Sequence, residues 1–183
     1  MAASSGSQLR RRVRYGVAMS LDGYIAGPNG ESDWITVDPE IDFNEIFSQF
    51  DTLLIGRKTF EAMQKMGGGG GSMPGVKSFV ISRTLKQTDY PDVTIAQDPR
   101  ALVTSLKAEP GKDIWLFGGG ELFRSLLGAG LVDGVDAAII PVLLGGGIPL
   151  LPSPAERTRL RLANRRVYEK SGIVQLHYDA ALA

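Results

Sequence analysis

Three short apolar runs in this chain stop at residues suited to holding an anion, and that recurrence constrains the fold more than any other feature. Residues 52–55 are β-prone, end at Gly56 and lead into a helical stretch over 58–66. Residues 76–81 end at Ser82-Arg83-Thr84. Residues 114–117 run into Gly118-Gly119-Gly120, and a helix is predicted from Glu121 to about Leu127. Strands joined through helices pair in parallel. Their carboxyl ends then share one edge of the sheet, where such sheets bind ligands.

The rest of the chain fits the same scheme. Residues 13–19 read as a first buried strand, followed by a long loop through Gly23 and Gly27-Pro28-Asn29-Gly30. Asp38-Pro39-Glu40 has the pattern of a helix start, and Ile41, Phe43, Ile46, Phe47 and Phe50 form its apolar stripe. The glycines at 67–71 stop the second helix and read as a mobile loop. Residues 93–96 are a short strand, and Asp98-Pro99 opens a helix through Lys107. Residues 135–144 read as an apolar strand stopped by Gly145-Gly146-Gly147. Residues 160–167 and 173–178 form a β-hairpin around Lys170-Ser171-Gly172. The expectation is one α/β domain over 13–183: a three-layer sandwich with a central, mostly parallel mixed sheet, helices on both faces and a C-terminal antiparallel hairpin. Residues 1–12, small and polar before Arg10-Arg11-Arg12, read as a flexible leader.

Composition narrows the partners. Twenty basic residues balance twenty acidic ones, so neither a nucleic acid nor a membrane surface is expected as the main partner. With no cysteine, disulfides, thiol nucleophiles and cysteine-ligated metals are excluded, and the chain fits a reducing cytoplasm. No apolar run approaches the roughly 20 residues of a membrane span. The one histidine, His177, lies in the alternating stretch Val174-Gln175-Leu176-His177-Tyr178 and reads as a solvent-facing strand position. No metal site is expected.

The three strand ends carry specific chemistry. Gly118-Gly119-Gly120 before a helix places backbone N–H groups at a helix N-terminus, a geometry suited to a pyrophosphate. At Gly56-Arg57-Lys58-Thr59, two cations and a hydroxyl sit at another helix start, and Arg57 suits a bidentate phosphate contact. Ser82 and Arg83 repeat the pairing of hydroxyl with guanidinium.

Four segments in this order resemble the dihydrofolate reductase superfamily: Ser20-Leu21-Asp22-Gly23-Tyr24-Ile25-Ala26, Gly56-Arg57-Lys58-Thr59-Phe60-Glu61, Met73-Pro74-Gly75-Val76-Lys77-Ser78-Phe79-Val80-Ile81-Ser82-Arg83, and Ile114-Trp115-Leu116-Phe117-Gly118-Gly119-Gly120. Pro141-Val142-Leu143-Leu144-Gly145-Gly146-Gly147-Ile148-Pro149-Leu150-Leu151 is similar to one branch, the C-terminal reductase domain of riboflavin-biosynthesis deaminase-reductases. The resemblance implies a dihydrofolate reductase-like sandwich and NADPH. It places the backbone of Val17 and Ala18, with Ile25, along the nicotinamide. Arg57, Lys58 and Thr59 would hold phosphates, and Ser82 and Arg83 the adenosine 2′-phosphate. Gly119, Gly120, Glu121 and Leu122 would cradle the pyrophosphate. Many classical members carry a basic residue where this chain has Glu121, which shifts the 2′-phosphate onto Arg57 and Arg83.

Hydride transfer needs alignment and a dry pocket rather than a protein nucleophile. Reduction of a C=N bond also needs a proton, from a carboxyl or a water it orients. The candidates are Glu40, Asp42 and Asp33. Trp34 is a candidate for stacking on a flat substrate, and Asp22 for shaping the loop beside substrate and cofactor. The expected activity is NADPH-dependent reduction of a small pyrimidine or pterin. Classical dihydrofolate reduction and a non-catalytic nucleotide-binding role are the alternatives. No zinc-ligand pattern of a deaminase occurs in this sequence. Residues 135–144 and the glycines after them are the candidate surface for a homodimer.

Overall fold

The computed structural model describes residues 10–65, 67 and 75–180. Residues 1–9 of the expected leader, the glycines at 68–71 and the Met73-Pro74 pair lie outside the described residues. Ten strands follow in chain order: β1 (Val13–Ser20), β2 (Tyr24–Ala26), β3 (Phe50–Gly56), β4 (Lys77–Ile81), β5 (Thr94–Ala96), β6 (Asp113–Gly118), β7 (Gly134–Ile140), β8 (Ile148–Pro149), β9 (Leu160–Tyr168) and β10 (Ile173–Ala180). Four α-helices accompany them: α1 (Phe43–Ser48), α2 (Arg57–Lys65), α3 (Pro99–Ala108) and α4 (Gly120–Gly128).

Eight strands form one sheet in the order β5-β4-β3-β6-β1-β7-β10-β9, and β2 pairs with β8 apart from it. The six strands from β5 to β7 run parallel, and the β9–β10 hairpin adds two antiparallel strands at one side. Side chains alternate across the sheet. On one face, Val13, Tyr15, Leu54, Ile114 and Leu116 pack with Val103 and Leu106 of α3 and Phe123 and Leu126 of α4. On the other, Leu53, Ile55 and Val80 pack with Phe60 of α2, and Phe47 of α1 stacks on Trp115 at 5.3 Å. The three-layer α/β sandwich is therefore present. No helix among the described residues is long and apolar enough to cross a membrane.

Four local expectations are corrected. The first helix starts at Asp42, not at Asp38. Asp38 is buried, and its carboxylate accepts from the N–H groups of Glu40 (2.8 Å) and Ser171 (3.1 Å), so the chain closes there as a turn tied to the hairpin. Asp42 caps α1 instead, accepting from Glu45 N at 3.0 Å. Phe50 falls outside the helix as the first residue of β3.

The strand expected over 135–144 ends at Ile140. Pro141 has no N–H to give to a ladder. Beyond it Val142 O accepts from Leu21 N, and the Leu144 and Gly145 N–H groups are taken by Asp22. β7 lies between β1 and β10, so neither of its edges is free, and the exposed part of the expected dimer surface is the loop after it, at Leu143 and Gly145.

His177 is not a plain solvent-facing residue: its Nδ1 lies 2.9 Å from Asp136 Oδ1 on β7. Arg11, expected in the leader, is buried and bonded to the Asp51 carboxylate, to Thr52 Oγ1 (2.7 Å) and to Lys112 O (2.7 Å).

One close contact fixes the middle of the sheet. The Trp115 indole N–H donates to Gly16 O at 3.2 Å, and a Cβ at Gly16 would stand 2.3 Å from the indole nitrogen. Trp115 is packed among Phe47, Phe50 and Phe117. Gly16→Ala should therefore cost about 1–3 kcal/mol by overpacking. Thermal unfolding should fall by several degrees, and an unchanged midpoint would show that the indole moves aside freely.

Candidate active site

The parallel ladders bring the glycine-bearing strand ends together. Gly56 pairs with Ile81 across β3–β4, and Ile55 pairs with Gly118 across β3–β6. The three loops read from the sequence thus leave the same edge at neighbouring strands. The approach is closest between Gly56 and the glycine run. A Cβ on Gly56 would meet Gly118 O at 3.2 Å and Gly119 N at 3.3 Å. The Gly118–Gly119 peptide is cis, and Gly118 has φ +143°, a conformation open to glycine.

Gly119 is the N-cap of α4. Its carbonyl accepts from Leu122 N and Phe123 N at 3.0 and 3.1 Å. The Leu122 N–H is therefore already used, and its side chain is buried in the core. Gly120 N and Glu121 N have no hydrogen-bond partner among the described residues, as befits the first turn of a helix. Those two groups remain for an anion. A Cβ at Gly119 would lie 3.1 Å from Thr59 Oγ1, so the α2 hydroxyl stands beside this cradle. Gly120 is buried for another reason: a Cβ there would meet Pro149 O and Pro152 Cδ, both at 2.9 Å. Glu121 turns toward Arg124 at 2.7 Å, which offsets its charge next to the cradle.

The cations have different surroundings. Arg57 pairs with Glu61 one turn along α2 at 2.8 Å, and both are partly exposed. Lys58 and Arg83 are exposed. Ser82 is buried, and its Oγ accepts from Thr84 N (3.1 Å) and Leu85 N (3.0 Å), so it shapes the turn that presents Arg83.

β1 ends beside β6, between the glycine cradle and β7. Val17 faces the α3–α4 core and Ala18 the opposite face, while Ile25 is half-buried in β2. Just past β1, Asp22 works as a clamp across a long stretch of sequence. One oxygen accepts from Ser20 Oγ (2.6 Å) and Leu144 N (3.1 Å), the other from Gly145 N (2.7 Å). Its role as a loop-shaping residue is thus visible in the geometry. The bonds from Ser20 and from the Gly145 and Leu144 N–H groups hold the Asp22 carboxyl below its ordinary range. Leu21 and Leu143 stand exposed on either side of this clamp.

The acid candidates lie beyond β7, toward the hairpin. Glu40 is exposed and paired with Lys170 at 2.8 Å, and Asp42 is occupied as the α1 cap. Asp33 is exposed. Trp34 is partly buried against the Ile140, Tyr168 and Ile173 cluster and donates to Glu31 O at 3.1 Å. The buried carboxylate here is Asp38, which the sequence reading treated as a helix cap. Its pKa is lowered by the Ser171 hydroxyl and by the Glu40 N–H, with Lys170 nearby. Only the fold brings Ser171 to it, so nothing local in the sequence marks it. Among the described residues no group of three or more His, Asp or Glu could hold a metal ion.

A strand-end cradle of this form on a doubly covered parallel sheet with a C-terminal antiparallel pair defines the dihydrofolate reductase-like class. Within it, this chain belongs to the RibD C-terminal domain family, whose model matches residues 11–174. It is 36% identical to the uncharacterized protein YyaP of Bacillus subtilis over 92% of this chain and 95% of that one. It is 31% identical to dihydrofolate reductase type 1 of Escherichia coli over 75% of this chain and 81% of that one. Among solved structures, a putative riboflavin biosynthesis protein from Shewanella sp. PV-4 superposes with a TM-score of 0.77 at 24% identity, covering 92% of this chain and 98% of that one. The deaminase/5-amino-6-(5-phosphoribosylamino)uracil reductase of Thermotoga maritima superposes with a TM-score of 0.68 at 17% identity, covering 94% of this chain and 57% of that one.

The Asp22 clamp has a defined pH window. A carboxyl lowered on folding stabilises the clamp above its unfolded value, here 3.8, and the clamp is lost as pH falls through the lower folded value. The Gly145 amide resonance should titrate with a midpoint below 3.8. Asp22→Ala should abolish that titration and speed exchange of the Leu144 and Gly145 amides about tenfold or more, with β3 amides unchanged. A midpoint at or above the ordinary value would remove the clamp's contribution.

Proposed function

We propose that this protein is an NADPH-dependent reductase of a small heterocycle of the pyrimidine or pterin type, resembling 5-amino-6-(5-phosphoribosylamino)uracil reductase. The observation that carries the reading is the meeting, at one sheet edge, of the Gly118-Gly119 cradle, the Arg57-Lys58-Thr59 helix start and the Ser82-Arg83 turn. An extended dinucleotide fits that row. The free N–H groups of Gly120 and Glu121 and the Thr59 hydroxyl suit its pyrophosphate. Arg57, steadied by Glu61, and the exposed Arg83 suit a 2′-phosphate. The bound cofactor supplies the hydride.

The chain's own residues do the remaining work. The end of β1, at Val17 and Ala18, lies between the phosphate-binding loops on one side and β7 with the 33–42 loop on the other. A planar substrate laid over β1 therefore has the cofactor on one flank and Asp33, Glu40 and Asp42 on the other. One of these carboxyls, or a water it orients, delivers the proton to nitrogen. The Asp22 clamp holds Leu21 and Leu143 as an apolar lip that keeps bulk water from the reacting atoms. Asp38 fixes the loop that carries the acids.

The likeness to dihydrofolate reductase type 1 supports dihydrofolate as a second substrate to assay. A reductase drawing on NADPH suits the cytoplasm. We also propose that a homodimer forms through the free edge of β9, since an exposed nine-residue edge strand is a template for pairing. Sedimentation at increasing concentration tests this.

Titration with NADPH and NADH, followed by cofactor-oxidation assays on pterins and aminopyrimidines, tests the main reading. Binding of NADPH in the micromolar range is expected, and no binding at millimolar levels would sink the proposal. Arg57→Ala with Arg83→Ala should erase most of the preference for NADPH over NADH, roughly 10²-fold for two charge-assisted contacts. Of Asp33→Asn, Glu40→Gln and Asp42→Asn, the variant that removes the proton donor should lower kcat by about 10²–10⁴. If all three retain kcat, the proton comes from solvent without a carboxyl.

A further inference from the structure

A cavity of about 390 Å³ lies on the α1–α2 face of the sheet, between α1 and the β9–β10 hairpin. Apart from Asp42 on its rim, none of its residues enters the reading above. Its floor follows from the register. Gly16, Asp136, His177 and Asn164 form one row across β1, β7, β10 and β9. Ala18, Ala138, Gln175 and Arg166 form the next. Trp115 covers Gly16, and Ala18 and Ala138 pack with the Ile140, Tyr168 and Ile173 cluster, so β1 and β7 line the cavity with Arg14 and Asp136 while the other polar residues crowd onto the hairpin.

The charge on the floor is already matched. Asp136 takes Arg14 Nε at 2.8 Å on one oxygen and His177 Nδ1 at 2.9 Å on the other. Arg14 also donates to Gln49 Oε1 at 2.7 Å. With Nδ1 engaged, Nε2 of His177 is left to the cavity. Its neighbours have the same character. Asn164 Oδ1 accepts from Arg165 N (2.8 Å) and Gln175 Oε1 from the Tyr168 hydroxyl (3.1 Å), which leaves both amide NH₂ groups. The Arg166 guanidinium lies over the Tyr168 ring at 4.7 Å, and its one hydrogen bond to a described residue is a long 3.5 Å contact with Glu40 O.

These four residues form a two-by-two patch, because Gln175 pairs with Arg166 and His177 with Asn164. Three present unused N–H groups, and the imidazole joins them as a donor when protonated. The hairpin wall holds no unpaired carboxylate, since Asp179 is taken by Arg12 and Arg161. The facing wall is acidic: Asp42 and Glu45 project from α1.

We propose that this cavity is a second ligand site, for a small molecule with an oxyanion head and a hydroxyl or amine at its other end. The phosphate or carboxylate head sits on Asn164, Arg166, Gln175 and His177, and the far end donates to Glu45. Its size suits a ligand at the small end of the usual range.

His177 is the only histidine in the chain, so its ring C–H resonances report on this cavity alone. The full chain is titrated at fixed pH and ionic strength with glycerol 3-phosphate, glycerate and inorganic phosphate. Glycerol 3-phosphate or glycerate should give saturable shifts at millimolar concentration or below, and whichever binds identifies the head group. Inorganic phosphate, lacking a tail, should bind at least tenfold more weakly than glycerol 3-phosphate. The N164A/R166A double variant should weaken binding tenfold or more, and Glu45→Gln should weaken the organic ligand but not inorganic phosphate. NADPH binding should stay unchanged in both variants. Shifts that grow linearly and match a sodium chloride control would overturn the proposal, as would saturable binding that survives intact in the double variant.

Discussion

The candidate site depends on the contact between the ends of β3 and β6, where two backbones approach with no side chain between them. The ladder register shifts just before this point, between Leu54 and Ile55, so that Ile55 faces Gly118. Any Cβ on Gly56 would press on the Gly118 carbonyl and the Gly119 nitrogen. From that contact follow the turn at Gly118, the direction of α4, its two free N–H groups and the place of Thr59 beside them. The parallel sheet supplies the rest, because parallel strands deliver all their carboxyl ends to one edge.

What was legible in the sequence was local. Glycines, hydroxyls and cations at strand ends are encoded within a few residues, so the three loops and their helices could be read directly. Asp98-Pro99 did cap α3, with Asp98 accepting from Arg100 N and Ala101 N. What was missed depended on partners far along the chain. Asp38-Pro39 carries the same local signal as Asp98-Pro99, but the second Asp38 oxygen accepts from Ser171 N, and the helix starts after Asp42 instead. His177 alternates as a strand residue should, yet only the pairing of β10 with β7 reveals Asp136 beside it. The strand drawn through 144 failed because the loop after β1 claims the backbone beyond Ile140.

Charge shows the same division between local and global. The chain is neutral overall, yet residues 15–56 contain no lysine or arginine, whereas 157–166 carry five arginines. The fold sets these segments side by side, bringing Arg166 to the Glu40 carbonyl, while Lys170 of the same hairpin pairs with the Glu40 carboxylate. A net charge of zero therefore excludes strong long-range attraction to polyanions without implying a uniform surface. The acidic and basic walls of the cavity beneath α1 are one product of that segregation.

The position of β1 has a consequence for how the chain is made. It emerges before every other strand of its sheet, yet its partners are β6 and β7, about a hundred residues later. At about 5–20 residues per second, some 5–20 s pass between the emergence of β1 and that of its neighbours. During that interval Val13, Tyr15 and Val17 have no sheet to enter. The strand that borders the candidate site is thus strongly dependent on protection during translation, and a chain halted before residue 113 would leave it with no partner strand.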